Sequence, residues 1–151
     1  MKDIHSGMSL IGSIGPVTLS ADNTPAAIDI RGFDGIELIF GVGDDGVTFS
    51  ETDKLEIEVS HSDDNVSYSR PTADDFLGEV AVSDGTSGYS KVLAFIAAHA
   101  TANVYRLGYV GGKRYLKILF NFSGTHNTGT PLVAIVLGMH PSVAPIAADA
   151  I

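Results

Sequence analysis

The chain has 151 residues, 9 Lys and Arg against 18 Asp and Glu, a formal net charge of −9 at pH 7, and no cysteine. A domain of this length buries roughly two thirds of its unfolded surface, so it can fold without a metal or a disulfide. The lack of cysteine excludes disulfides, thiolate zinc sites and cysteine nucleophiles. The acidic balance argues against a nucleic-acid partner, because such binding relies on basic surface that contacts phosphates.

The sequence also gives no sign of a membrane partner. The opening MKDIHSGMSLIGSIG lacks the continuous apolar segment of a signal peptide. Apolar runs elsewhere fall far short of the ~20 residues that span a bilayer. We therefore expect a protein made in the cytoplasm, with no nucleic-acid or membrane partner.

Glycine, valine, isoleucine, threonine and serine are frequent, which favours strands and tight turns over helices. Turn clusters such as SADNTP, GDDG and SDGTSG separate the apolar runs. In chain order the predicted strands are PVTLS (16–20), AAIDIRGF (26–33), GIELIFGV (35–42), KLEIEVSH (54–61), FLGEVAV (76–82), YSKVLAF (89–95), VYRLGYV (104–110), RYLKILFNF (114–122) and PLVAIVLGM (131–139).

Alternation along the clearest strands predicts which face is buried. In 54–61 the apolar positions Leu55, Ile57 and Val59 predict a core face, and Glu56 and Glu58 lie on the face expected to be wet. The run 114–122 alternates in the same way. PLVAIVLGM is apolar on both faces, which predicts a central or doubly covered strand.

Residues 91–103, KVLAFIAAHATAN, combine helical spacing with alanines and leave two alternatives, a short helix or a strand followed by one helical turn. The fold class that follows is all-β: a two-sheet antiparallel β-sandwich, jelly-roll-like, with at most one short helix around 93–102. We expect one domain over 1–151, with extended N-terminal (1–15) and C-terminal (141–151) segments, the latter because Pro141 and Pro145 exclude an ordinary helix or inner strand.

Gly111-Gly112 lies between two alternating runs and predicts a two-residue hairpin turn. That register places Arg106 opposite Lys117, and like charges across a ladder are destabilising. Either Glu56, Glu58 or another carboxylate compensates them within the sheet, or the hairpin presents a basic face to an acidic partner. The candidate partner-binding residues are Arg106, Tyr109, Lys113, Arg114, Tyr115 and Lys117.

No pattern in the sequence indicates catalysis. The histidines, at positions 5, 61, 99, 126 and 140, form no metal-binding motif, and His61 is predicted to be a half-buried side chain with its hydrogen bonds satisfied. Turn chemistry explains the polar neighbours of His126. Acidic pairs lack the calcium-loop spacing, and there is neither a G-x-S-x-G elbow nor a P-loop. We predict no catalytic residue, no metal site and no cofactor.

Four stretches taken together resemble a known family: HSDDNVSYS (61–69), GYVGGKRY (108–115), SGTHNTGTP (123–131) and LGMHPSVAPI (137–146). In this order they are similar to small proteins encoded among the head genes of tailed bacteriophages and prophages. The resemblance implies a decoration protein on the outside of an icosahedral capsid, often trimeric, that binds the major capsid protein and has no enzyme activity or cofactor. Its location would be the exterior of the virion.

Two other classes remain open. A tail or head-tail joining protein would also be built from β-sandwich subunits, assembled as hexameric rings. A carbohydrate-binding module would use loops such as 61–69, with Tyr68, Tyr89 or Tyr109 stacking on a sugar ring, although the chain has no tryptophan. An enzyme that uses a metal at His126 or His140 is the remaining alternative.

Overall fold

A computed structural model describes residues 3–44, 48–78, 80–98 and 101–143. The described chain is all-β, with two three-residue 3-10 turns at His5–Gly7 and Ala73–Asp75. Its strands are β1 (Met8–Leu19), β2 (Ile28–Asp29), β3 (Phe33–Val42), β4 (Lys54–Ser62), β5 (Phe76–Leu77), β6 (Ser83–Asp84), β7 (Ser90–Phe95), β8 (Asn103–Tyr109), β9 (Tyr115–Ser123) and β10 (Thr130–Pro141).

The strands form two antiparallel five-stranded sheets, which confirms the predicted two-sheet sandwich. Sheet I has the order β1-β10-β3-β8-β5, and sheet II has the order β2-β9-β4-β7-β6. Without the two-residue strands β5 and β6, the orders become β1-β10-β3-β8 and β2-β9-β4-β7. This is the arrangement of a jelly roll, in which most consecutive strands lie in opposite sheets.

The core lies between the two sheets and is formed by alternate residues of each strand. Ile36, Leu38, Phe40 and Val42 of β3 are at most 6% exposed. From sheet II, Leu55, Ile57 and Val59 of β4 and Leu116, Ile118 and Phe120 of β9 meet them, as the alternation predicts. The predicted inner faces of both strands are therefore confirmed.

The outer face of sheet II is covered by the chain's own loops. Glu58 is fully buried, and its carboxylate accepts hydrogen bonds from the backbone N–H of Thr86 at 2.9 Å and from Asn121 Nδ2 at 3.0 Å. A Cβ at Gly85 would lie 2.6 Å from Glu58 Cδ, so only glycine allows this approach. Arg70 holds the covering loop through Nη2, which donates to the Gly85 carbonyl at 3.0 Å. The expectation that Glu56 and Glu58 face water is wrong, because neither is more than 6% exposed.

Two local expectations need correction. In the segment 91–103, β7 extends to Phe95, and none of the described residues after it is helical; positions 99 and 100 lie outside the described residues. At the other end, Met8–Leu19 forms a complete strand paired with β10, whereas the sequence indicated only a short strand at 16–20. Of the C-terminal segment, positions 144–151 lie outside the described residues.

The predicted hairpin at Gly111-Gly112 is wrong. β8 belongs to sheet I and β9 to sheet II, so the loop between them crosses from one sheet to the other. Arg106 pairs with Ile39 of β3, and Lys117 pairs with Ser60 of β4. The glycines are needed for another reason: a Cβ at Gly111 would lie 2.6 Å from Asp75 Oδ1, and Gly112 has a φ of +68°.

Truncation of Leu38 tests how strongly the core depends on β3. We expect Leu38→Ala to lower the free energy of unfolding by about 2–5 kcal/mol, because it leaves a cavity at a fully buried position. Val66→Ala is the control, since Val66 is 82% exposed; its effect should stay within about 0.5 kcal/mol. Urea unfolding followed by circular dichroism measures both. Equal losses in the two variants would contradict this account of the core.

Candidate interaction surface

The predicted partner-binding residues do not form one stripe. Arg106 lies on the outer face of sheet I, and Lys117 lies on the outer face of sheet II. Lys113 and Arg114 belong to the loop that joins the two sheets. Arg106 and Lys117 therefore do not face each other across a ladder, and the compensation expected from Glu56 or Glu58 is not required at that place.

Each of three cations has a carboxylate of the same chain beside it. Arg106 Nη1 donates to Glu37 Oε1 at 3.1 Å. Lys113 Nζ donates to Asp63. The Arg114 guanidinium binds Asp29 through two bonds, Nε to Oδ1 at 3.0 Å and Nη2 to Oδ2 at 2.7 Å. Hydrogen bonds from Arg114 lower the pKa of Asp29 to about 2.

Glu56 serves a different pair of cations. Lys91 Nζ donates to Glu56 Oε1 at 2.7 Å, and Lys54 Nζ donates to the same oxygen at 3.1 Å. Burial opposes ionisation of this carboxyl, but the two ammonium groups lower its pKa below the usual range. In the sequence cluster, Arg106, Lys113 and Arg114 are neutralised by Glu37, Asp63 and Asp29 rather than by Glu56 or Glu58.

Aromatic rings contact Lys117 and also Arg114, which is already paired with Asp29. Lys117 Nζ lies 4.0 Å from the centroid of the Tyr68 ring, and the Arg114 guanidinium lies 4.6 Å from the centroid of Tyr115. Such cation–π contacts are worth about 0.5–1 kcal/mol at exposed sites. They order the side chains of this end of the sandwich.

Tyr109 is part of the core rather than an exposed anchor, being 4% exposed. Its hydroxyl lies 2.9 Å from His61 Nδ1 and accepts a hydrogen bond from the backbone N–H of Lys113 at 3.2 Å. Burial raises the pKa of Tyr109 to about 12. Burial also lowers the pKa of His61, an effect that the nearby Asp75 opposes. His61 has the satisfied hydrogen bond expected of it and is only 5% exposed.

A cleft of about 480 Å³ opens at the end of the sandwich where these loops meet. Its walls include the charged side chains of Arg31, Asp34, Asp63, Lys113 and Arg114, around an apolar surface. Both signs of charge are present. The cleft therefore has a mixed character and does not select an anion or a cation by charge alone.

The largest feature missed from the sequence is the apolar outer face of sheet I. Its rows, read across β1, β10, β3, β8 and β5, include Leu10–Leu137–Glu37–Gly108–Leu77 and Ser13–Ile135–Ile39–Arg106. Leu10, Leu77 and Val104 are 48%, 60% and 67% exposed. The sequence PLVAIVLGM, apolar on both faces, indicates this surface. β10 is a central strand, as predicted, but its outer side chains remain partly exposed.

This face carries a ridge of apolar side chains. The outer side chains of β10 form the ridge; they are Val133, Ile135, Leu137 and Met139. On the neighbouring strand β3, Gly35 pairs with Met139 and Gly41 pairs with Val133. A Cβ at Gly41 would lie 2.5 Å from Val133 Cγ1, so the Val133 side chain already covers this glycine. One shallow cleft of about 420 Å³ opens beside Val104 and Pro131, and another of about 230 Å³ opens beside Leu77 and Arg106.

Comparison with family models, curated proteins and solved structures finds no match to this chain. Within the described residues no three His, Asp or Glu side chains lie close enough together to hold a metal ion. No helix in the same part of the chain is long and apolar enough to cross a membrane.

Ionisation of Tyr109 can be observed directly. We expect one tyrosine step near pH 12 in the ultraviolet absorbance of phenolate, absent in Tyr109→Phe. Because the folded pKa exceeds the unfolded value of about 10, stability from this group should fall as pH rises above about 10. Retention of the step in Tyr109→Phe would assign it to another residue.

Acid should lower the stability of the fold through His61, whereas Tyr109 lowers it at alkaline pH. Its folded pKa is lowered, so the unfolded chain binds the proton first and stability falls as pH drops below about 6.5. We expect His61→Asn to lose part of this dependence in urea unfolding between neutral and mildly acidic pH. The exposed His5→Asn should retain it, and identical pH profiles for both variants would refute the assignment.

Proposed function

We propose that this chain is a non-enzymatic structural protein of a tailed-bacteriophage virion that binds the outer surface of the capsid and stabilises the shell. Its partners are the major capsid protein and further copies of itself, with a trimer favoured. It uses no cofactor. The observation that supports this proposal is the apolar outer face of sheet I, together with the resemblance of 61–69, 108–115, 123–131 and 137–146 to phage head-region proteins.

The two outer faces of the sandwich differ in a way that favours an assembly role. On sheet II the loops after β4 and β6 cover Glu58 completely. On sheet I Leu10 of β1, Val104 of β8 and Leu77 of β5 remain exposed. Contiguous exposed apolar surface on a folded chain is typical of a protein–protein contact. A sandwich with one outer face covered by its own loops and the other exposed and apolar is suited to assembly with other protein chains.

The charge of the chain supports the same role. A net charge of −9 keeps a protein soluble when it is present in many copies. The cations Arg106, Lys113 and Arg114 are paired with carboxylates of their own chain. The exterior therefore stays acidic, and contacts with the shell are proposed at the loop end, around the cleft beside Arg31 and Lys113.

A carbohydrate-binding role is less well supported. Of the three tyrosines proposed to stack on a sugar, Tyr109 is buried and the ring of Tyr68 faces Lys117. A tail or head-tail joining protein shares the apolar face, and it differs in assembling hexameric rings. Native mass measurement separates a trimer from a hexamer.

Capsid binding is tested by co-sedimentation. Purified protein is mixed with expanded, undecorated phage shells, and we expect it to pellet with them in a saturable ratio and to raise the temperature at which the shells break. Arg31→Glu should weaken binding several-fold, because it reverses a charge in the loop-end cleft. Ser87→Glu, on an exposed turn over sheet II, should bind like the parent chain.

Two results would count against the proposal. Protein that stays in the supernatant at every ratio tested would remove the capsid as a partner. Binding to tail tubes together with a hexameric mass would assign the chain to the tail.

A further inference from the structure

We propose that the hydrogen bonds that link His61, Tyr109 and Lys113 form an acid-sensitive switch, which holds the loop at 110–114 in place at neutral pH and releases it when His61 takes up a proton. This loop is part of the wall of the cleft of about 480 Å³ at the end of the sandwich. The switch therefore regulates the surface where contact with the shell is proposed, and in that respect the inference rests on the proposed function. The switch itself is a property of the free chain.

The Tyr109 hydroxyl connects three parts of the molecule. Tyr109 ends β8 in sheet I, and His61 lies on β4 in sheet II. Their ring centroids are 6.0 Å apart, and 2.9 Å separates the hydroxyl from His61 Nδ1. The same hydroxyl accepts the backbone N–H of Lys113 at 3.2 Å. A change at His61 therefore reaches the loop between the sheets through one oxygen atom.

These hydrogen bonds determine where the protons lie. The backbone N–H of Lys113 is always a donor, so it occupies a lone pair of the Tyr109 oxygen. In the part of the chain that the structure describes, the other hydrogen-bond partner of this hydroxyl is His61 Nδ1. The hydroxyl therefore donates to Nδ1. His61 is then the neutral tautomer that carries its hydrogen on Nε2.

Protonation of His61 removes the acceptor of the Tyr109 hydroxyl. A proton from solvent binds the Nδ1 lone pair, after which Nδ1–H and O–H face each other as two donors. Tyr109 is only 4% exposed, so water does not readily replace the lost acceptor. A buried donor without an acceptor is costly. The two side chains separate, and the Lys113 N–H loses its bond to the displaced hydroxyl.

Charged groups on the neighbouring loops act on His61 in both directions. Burial has the largest effect and lowers the pKa of His61, and the positive charge of Lys113 lowers it further. Asp75 and Asp63 favour the imidazolium and oppose this change. Asp63 is itself bound to Lys113 Nζ. Because the neutral form prevails in the folded chain, the switch is closed at neutral pH and acid opens it.

The loop is attached at both of its ends by bonds that do not titrate. The Val110 N–H donates to the Asp75 carbonyl at 2.8 Å, and the Ile30 N–H donates to the Arg114 carbonyl at 2.9 Å. Between them, no other part of the described chain lies within 4 Å of a Cβ built on Gly112. The middle of the loop therefore has room to move. Since Gly112 lines the cleft, an open switch changes the cleft wall while the sheets stay paired.

Heteronuclear NMR of the isotope-labelled full chain tests the switch between mildly alkaline and mildly acidic pH. We expect the Lys113 amide signal to shift in one step together with the His61 ring signal. Its protection factor against hydrogen exchange should fall about two- to tenfold, which corresponds to the loss of one hydrogen bond. The amide of the buried Leu38 reports global unfolding. The change at Lys113 should appear while Leu38 remains protected.

Two variants distinguish a switch from a packing contact. His61→Asn should abolish the step at Lys113, because the titrating group is gone. Tyr109→Phe keeps the ring and removes the oxygen, so the Lys113 amide should lack this protection at every pH while His61 still titrates. The control His5→Asn removes an exposed histidine and should leave the step unchanged. Circular dichroism and thermal unfolding verify that each variant is folded.

Two results on the free chain would overturn the inference. The first is a Lys113 amide that stays protected while the His61 ring titrates. The second is a step at Lys113 that persists in His61→Asn.

Co-sedimentation with shells at neutral and mildly acidic pH separates the inference from the capsid proposal. Binding that weakens in acid for the parent chain but not for His61→Asn would support both. A step at Lys113 in a chain that ignores shells at either pH would support the switch and remove the capsid role. A step at Lys113 with equal shell binding at both pH values would refute the regulation of the shell contact.

Discussion

The structure depends on one constraint: two apolar sheet faces must close on each other with strands that change sheet at most connections. Because β8 lies in sheet I and β9 in sheet II, the loop at 110–114 must cross the end of the sandwich. That crossing brings Lys113 and Arg114 to Asp63 and Asp29, and it places Tyr109 over His61. The ion pairs of this end follow from the topology and do not cause it, since exposed pairs contribute at most about 1 kcal/mol each.

The inner face of the fold was readable from the sequence because burial there repeats every second residue. Leu38, Ile57 and Ile118 all lie where alternation places them. Alternation is a local property, so it identifies a strand and its two faces. Alternation does not predict which other strand pairs with it. Gly111-Gly112 illustrates this, because its local sequence is compatible both with a hairpin turn and with a crossing between sheets.

The outer faces were harder to predict, since their exposure depends on loops that lie far away in the chain. Alternation along β4 predicts that Glu58 is exposed to solvent, but the loop at 85–89 covers it. Short strands are a related case: β5 and β6 have two residues each and exist only because β8 and β7 offer edges to pair with. For the candidate site, the charges were visible in the sequence and their partners were not, because Arg114 and Asp29 are 85 residues apart.

The asymmetry between the two outer faces also indicates how the chain could evolve an assembly surface without losing its fold. On the outer face of sheet II, Lys91 of β7 binds Glu56 of β4, and the loop at 85–89 binds Glu58 through the backbone N–H of Thr86. Sheet I is covered only on its inner face, so the outer side chains of β10 and β8 make no such contacts with covering loops. Residues such as Leu137 and Val104 do not belong to the core between the two sheets. A surface that the fold does not need is the place where association with another chain would select side chains, and on sheet I those side chains are apolar.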